Sequence, residues 1–183
     1  MRIIGGKHKR RKLLSVPGID TRPTTDRVRE TLFNILSSDI PNAFVLDIYA
    51  GTGALGLEAL SRGAKYAAFF EFNPKALSII KRNIATLKEE QNSRVVKCDA
   101  TKKISFDESF KGKFDLVFMD PPYDKDMVKK TLVNLNDSKL LANGAICVVE
   151  HSKKELIEDI ENFTVHDERV YGRTKVSFIN YND

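Results

Sequence analysis

Asp120-Pro121-Pro122-Tyr123 sets a carboxylate, two residues lacking N–H donors and an aromatic ring directly behind the apolar run Phe114 to Met119. The prolines fix the backbone and remove two donors, so a carboxylate and carbonyl oxygens are left as acceptors at the end of a strand. Acceptors so placed suit an exocyclic amine on a nucleobase, a poor nucleophile because its lone pair is delocalised into the ring. If Asp120 and the Pro121 carbonyl accept its two N–H bonds, the nitrogen is drawn toward tetrahedral geometry and its lone pair is aimed at a methyl donor. Tyr123 supplies a face on which the base can stack. The plainer reading of the tetrapeptide alone is a rigid turn.

A second set of residues has the spacing to hold a methyl donor. Gly51, Gly53 and Gly56 stand as G-x-G-x-x-G within V-L-D-I-Y-A-G-T-G-A-L-G, Val45 to Gly56. The pattern is a strand, a tight turn and a helix start, with glycines that let the chain turn sharply and a ligand approach the first helical N–H groups. Small residues where a helix packs on a strand would produce the same pattern. Asp47 lies four residues before Gly51, and Glu71 lies 20 residues after it, at the tip of the next apolar run. A carboxylate at that tip can accept both hydroxyls of a ribose. One placed upstream of the turn would repel a pyrophosphate but suits an ammonium or a sulfonium. The pair points to S-adenosylmethionine rather than NAD.

Periodicity supplies the elements that position these groups. Strands are predicted at Ala43 to Ile48, Tyr66 to Glu71, Arg94 to Cys98, Phe114 to Met119 and Ala145 to Val149. Helices are predicted from Thr24 or Thr25 through Leu36, over Leu55 to Leu60, from Pro74 behind an Asn73 cap, over Met127 to Leu135 and over Lys153 to Ile160. Thr164 to Tyr171 and Lys175 to Tyr181, joined by G-R-T, read as an antiparallel hairpin. Alternating apolar strands and helices make an α/β, doubly wound, mostly parallel sheet, in which ligands bind outside the carboxyl ends of the strands. Asp47, Glu71, Asp99, Asp120 and Glu150 all fall at those ends, which turn chemistry alone does not explain.

Charge marks a different region. Residues 1–30 hold nine Lys or Arg against three acids, a balance of +6, whereas the whole chain carries +5 and the remainder therefore −1. A near-neutral body with a basic edge implies a polyanionic partner, most simply nucleic acid; a solvated tail is the alternative. Ile3-Ile4 and Leu13-Leu14 bracket Gly5-Gly6 and the basic K-H-K-R-R-K, which suggests a small β-hairpin with a basic tip. The expected division is a basic N-terminal hairpin arm over 1–20 and a single domain over 21–183, with Arg27 and Arg29 facing outward from the first helix. No long apolar run is present, so a membrane span, a signal peptide and a membrane partner are not expected, and a cytoplasmic location is. Cys98 and Cys147 are expected as free thiols. His8, His151 and His166 lack zinc spacing and read as packing or surface residues, so no metal is expected.

Several blocks carry a resemblance. R-P-T-T-D-R-V-R-E-T-L-F-N (Arg22 to Asn34), V-L-D-I-Y-A-G-T-G-A-L-G-L-E-A-L-S-R-G-A (Val45 to Ala64), D-P-P-Y, Glu150-His151 and Y-G-R-T near the end are similar to the RsmD family of bacterial 16S rRNA guanine-N2 methyltransferases. The glycine turn and D-P-P-Y specify only methyltransferases acting on amino groups; the N-terminal block is the discriminating one. Ile48-Tyr49 and Thr52 stand where Leu-Phe and Ser are commoner, and Glu89 to Ser93 and Lys102 to Lys113 match nothing diagnostic. The resemblance implies a seven-stranded Rossmann-like methyltransferase sheet with a reversed last strand and an RNA-binding hairpin, acting on 16S rRNA or the assembling small ribosomal subunit as a monomer. By position, Gly51, Thr52 and Gly53 would hold the methionine moiety of S-adenosylmethionine beside Asp47. Glu71 would take the ribose, Asp99 the adenine amine, and Asp120, Pro121, Pro122 and Tyr123 the guanine. Lys7, Lys9, Arg10, Arg11, Lys12, Arg22, Arg27 and Arg29 would meet RNA, with Arg22, Thr24 and Arg27 beside the cleft, against cofactor or phosphate. The alternatives are a DNA or tRNA amino-methyltransferase, an NAD-linked dehydrogenase, which Asp47 and D-P-P-Y disfavour, and a nucleic-acid-binding module without chemistry.

Overall fold

The computed structural model describes residues 1–16, 26–122, 127–157 and 160–183. Its centre is a seven-stranded sheet of β1 (Phe44–Ile48), β2 (Tyr66–Glu71), β3 (Ser93–Lys97), β4 (Phe114–Met119), β5 (Leu141–Ser152), β6 (Phe163–Tyr171) and β7 (Thr174–Tyr181). The order is β3-β2-β1-β4-β5-β7-β6, with β1 to β5 parallel and β7 antiparallel to both neighbours. The predicted mostly parallel sheet with a reversed last strand is what the chain forms. β1, β2 and β4 are nearly continuous apolar runs because both of their faces are covered. On one face α1 (Asp26–Ile35), α2 (Ala54–Ser61) and α3 (Pro74–Leu87) pack against Val45, Phe69, Leu116 and Phe118. On the other, α4 (Met127–Ser138) packs against Leu46, Phe70, Val117 and Met119. Asn73 caps α3 as expected, its side chain accepting from the Lys75 and Ala76 N–H groups.

The N-terminal hairpin also forms. Arg2 and Lys12 make an antiparallel bridge, the chain turns through a short helical turn at Gly6–His8, and Ile3 and Leu13 enter the main core. Glu58 of α2 accepts the Ile4 and Gly5 N–H groups, each at 2.7 Å. Gly6 sits in the left-handed region, and a Cβ there would come within 1.8 Å of the Ser61 carbonyl oxygen, so only glycine permits this approach.

Two expectations are overturned. No helix forms over 153–157, where the sequence predicted one. β5 instead continues to Ser152, since β7 pairs with it as far as Thr174 and supplies the ladder that would otherwise end. Arg29 does not face outward: it is 2% exposed, and its guanidinium donates to the Arg2 carbonyl at 2.6 Å and to Asp26 at 3.1 Å. Its role is to tie α1 to the hairpin, so it is withdrawn from the RNA-contacting set. The expected caps Thr24 and Thr25 lie outside the described residues, as do Arg22 and Tyr123.

Candidate active site at the strand ends

Parallel register brings the predicted acids into one row. Ile48 pairs with Phe70 and with Met119, and Met119 pairs with Val149, so Tyr49, Glu71, Asp120 and Glu150, next along each chain, stand side by side. The row crosses the point where the strand order reverses between β1 and β4, the place at which open α/β sheets bind ligands. Tyr49 leaves β1 in the left-handed region at φ 60°, an unusual conformation for a side chain of this size. Its hydroxyl shares a 2.6 Å hydrogen bond with Thr131 on α4, which fixes the exit.

The glycine turn follows directly. Gly51 and Gly53 both adopt positive φ, and a Cβ on Gly56 would lie 2.5 Å from the Phe69 ring. The first two glycines thus serve the turn, and the third lets α2 close on β2. Glu71 reaches over this turn. One of its oxygens accepts the Gly51 N–H at 2.9 Å, and the other accepts the Phe72 and Asn73 N–H groups at 2.8 Å each.

Asp47 has a different place from the one its sequence position suggests. It is 2% exposed and accepts the Gly56 N–H at 2.9 Å, so it braces the start of α2 from beneath rather than presenting charge to a ligand. Burial pushes its carboxyl up to about 8, against the Gly56 hydrogen bond and with help from Glu71. Its capacity to repel a pyrophosphate, and with it that argument against NAD, is correspondingly weakened. Asp120 is half-buried at the end of β4, next to the buried Pro121. Burial, then the charges of Glu150 and Asp47, hold its carboxyl well above the usual carboxylate range. Asp99 lies just beyond β3 and is lowered, chiefly by the Thr101 hydroxyl at 2.6 Å, with the Thr101 N–H and Lys102 adding to the effect.

Two participants, Asn83 and Met1, emerge only from the structure, and a third, Glu150, gains its partner there. Glu150 reads in the sequence as a strand-end acid, but its charge partnership with Asp120 comes from the β4–β5 register. Asn83 is buried on α3 and donates to the Thr52 carbonyl at 2.9 Å. Its signal in the sequence is a polar residue within the stripe of Ile80, Ile84 and Leu87. Met1 accepts from the buried Thr52 hydroxyl through its sulfur at 3.4 Å.

The cationic surface divides as well. Lys9, Arg10, Lys12 and Arg27 are exposed. Lys7 pairs with the buried Glu89 at 2.7 Å, and Arg11 donates to the Thr86 carbonyl at 3.2 Å, so these two also anchor the hairpin. Among the described residues no group of three or more His, Cys, Asp or Glu is arranged to hold a metal ion, and no helix is long and apolar enough to cross a membrane.

Comparison with known proteins places this architecture. The family model described as Conserved hypothetical protein 95 matches residues 1–180. Ribosomal RNA small subunit methyltransferase D of Escherichia coli is 41% identical over 174 residues, covering 94% of this chain and 86% of that protein. The chain belongs to the RsmD family. The Haemophilus influenzae protein of the same name is 35% identical over 94% of this chain and 89% of its own length. The solved structure of Escherichia coli yhhF is 40% identical, covers 100% of this chain and 98% of that one, and superposes with a TM-score of 0.85. What this arrangement can do is hold a cation against a row of carboxyls and present acceptors, from Asp120 and Pro121, to an amine.

Proposed function

We propose that the protein transfers a methyl group from S-adenosylmethionine to the exocyclic N2 of a guanine in 16S rRNA. The observation that carries this reading is the row Glu71, Asp120 and Glu150 beside a glycine turn at the sheet's switch point, in a chain whose relatives are named for ribosomal RNA small subunit methylation. The residues fit a sulfonium cofactor: burial, then the charges of Glu150 and Asp47, raise the Asp120 carboxyl, and a cation seated beside it offsets both the lost solvation and the repulsion. Gly51, Thr52 and Gly53 would seat its amino-acid end, Glu71 its ribose and Asp99 its adenine amine. When bound, it supplies an electrophilic methyl group.

The chain's own residues prepare the amine. Asp120 and the Pro121 carbonyl accept its N–H bonds, and Tyr123 stacks on the guanine. As the new N–C bond forms and the S–C bond breaks, positive charge grows on nitrogen, and the Asp120 carboxylate stabilises it. The extra proton then leaves the nitrogen for Asp120, whose raised proton affinity suits it to that role, or for water. Lys9, Arg10, Lys12 and Arg27, with Arg22, contact RNA phosphate, and Lys7 and Arg11 hold the hairpin from which the first three project. Residues 1–20 act as the RNA-facing arm of the domain formed by 21–183, which works as a monomer in the cytoplasm where the small subunit assembles.

The test is methyl transfer from labelled S-adenosylmethionine to naked 16S rRNA and to assembled small subunits, followed by mass mapping of the modified nucleotide. N2-methylguanine at one position, absent from the RNA of cells lacking the gene, is the expected result. Label appearing only in tRNA or DNA would replace the substrate, and none in any nucleic acid would defeat the reading.

A further inference from the structure

Four buried polar side chains hold the hairpin against the helices that flank the glycine turn: Glu58 and Ser61 on α2, Asn83 on α3 and Glu89 just beyond α3. Glu58 accepts the Ile4 and Gly5 N–H groups, and Glu89 meets Lys7 and His8, so both act on the hairpin alone among the segments that bear on the site. Asn83 acts on two segments at once. Its Oδ1 accepts the Leu14 N–H at 2.8 Å, while its Nδ2 donates to the Leu14 carbonyl at 3.2 Å and to the Thr52 carbonyl at 2.9 Å. Thr52 lies between the two positive-φ glycines, so its carbonyl reports the orientation of the turn itself. The Thr52 hydroxyl contact to Met1 joins the same two segments a second time.

A buried amide on an otherwise apolar helix stripe is costly unless its hydrogen bonds are made, and here one planar group makes three. Rotating or displacing it for one partner breaks the bonds to the other. We infer that Asn83 is a positioning residue that couples the N-terminal arm to the cofactor turn, fixing the Thr52 peptide for the cofactor and Leu14 for the arm through the same amide. Ordering either side then orders the other, and the effect is reciprocal. The inference rests on the proposed cofactor seat at Gly51 to Gly53.

Residue-resolved amide hydrogen exchange on the full chain, with and without S-adenosylmethionine, tests it directly. Cofactor should slow exchange at Gly51 and Gly53 and, by about fivefold or more, at Leu14. Protection of the glycines with Leu14 unchanged would overturn the coupling while leaving the seat intact. No protection at the glycines would remove the seat and the coupling together. Asn83→Asp provides the second arm, since it keeps shape and one acceptor but sets a carboxylate oxygen against two carbonyls. Cofactor KM should rise about tenfold, with kcat at saturation changed far less. Asn136→Ala on α4 removes an acceptor used by Asn162 and Tyr181, far from the turn, and serves as the stability control. It should lower Tm yet leave cofactor affinity within about twofold. Equal effects of the two variants on KM at equal loss of Tm would reduce Asn83 to packing and overturn the inference.

Discussion

Replacing Asp47 with asparagine isolates the most perturbed carboxyl in the fold. In the native protein its proton leaves near pH 8, whereas in the unfolded chain it leaves near the ordinary value of 3.8. Between those values the native state binds more protons than the unfolded state, so stability falls as pH rises, by up to about 1.36 kcal/mol per pH unit from this group. Asp47→Asn preserves the shape and an oxygen to accept the Gly56 N–H, now made at 2.9 Å, but has nothing to titrate. From about pH 5 to pH 7 the wild type should therefore lose about 2.6 kcal/mol more than the variant, slightly less than the full slope because the native carboxyl already begins to ionise toward pH 7. Urea unfolding followed by circular dichroism at fixed ionic strength gives both curves. The two should converge at low pH, where Asp47 is protonated in both states, and separate as pH rises, with the variant the more stable. Parallel curves across this range would refute the argument that Asp47 is held protonated beneath the glycine turn.

Other perturbations probe the cleft and the basic edge. Glu71→Ala should weaken S-adenosylmethionine binding by about 1–3 kcal/mol through loss of a charged acceptor, measured by calorimetry, and tight NAD binding with no heat from the methionine cofactor would contradict the assignment. Since burial, Glu150 and Asp47 raise the Asp120 carboxyl, a sulfonium beside it favours ionisation, and affinity for S-adenosylmethionine relative to its uncharged demethylated product should grow as pH rises above the usual carboxylate range; a pH-independent ratio would exclude a cation beside Asp120. Replacing Lys9, Arg10 and Lys12 together with alanine should flatten the salt dependence of RNA binding by about 0.7–0.9 per lost phosphate contact, as read by filter binding at several salt concentrations. Arg29→Ala should instead leave that slope unchanged and lower stability by about 2–4 kcal/mol, because it orphans the Arg2 carbonyl and empties a buried site.

The strands were legible because short apolar runs that end in an acid and alternate with amphipathic stretches fit a covered parallel sheet and little else, and Asn73-Pro74 announced α3 through cap chemistry. Side-chain direction was less accessible. Asp47 shares its sheet face with Val45, and only the closeness of α2, allowed by Gly56, turns its carboxyl inward onto a backbone N–H. Arg29 sits on the turn of α1 that meets the hairpin, a contact between segments 27 residues apart that helical periodicity cannot reveal. The absence of a helix over the described residues 153–157 has a similar cause: that stretch belongs to a helical period of its own, but pairing with β7 carries the strand through Ser152. Asn83 was hidden for the opposite reason, since its spacing fitted the stripe and only its polarity marked it as something more.

Single-turnover methyl transfer by Asp120→Asn is the measurement that bears most directly on the chemistry. The amide keeps the side-chain shape and one acceptor but loses the charge whose hold strengthens as the attacking nitrogen becomes positive. Folded variant, verified by its thermal transition, should transfer methyl groups about two to three orders of magnitude more slowly at saturating cofactor, with RNA affinity nearly unchanged and S-adenosylmethionine affinity reduced far less than the rate. Transfer by folded Asp120→Asn at the wild-type rate would contradict the amine-holding role and leave D-P-P-Y as a rigid turn at the end of β4.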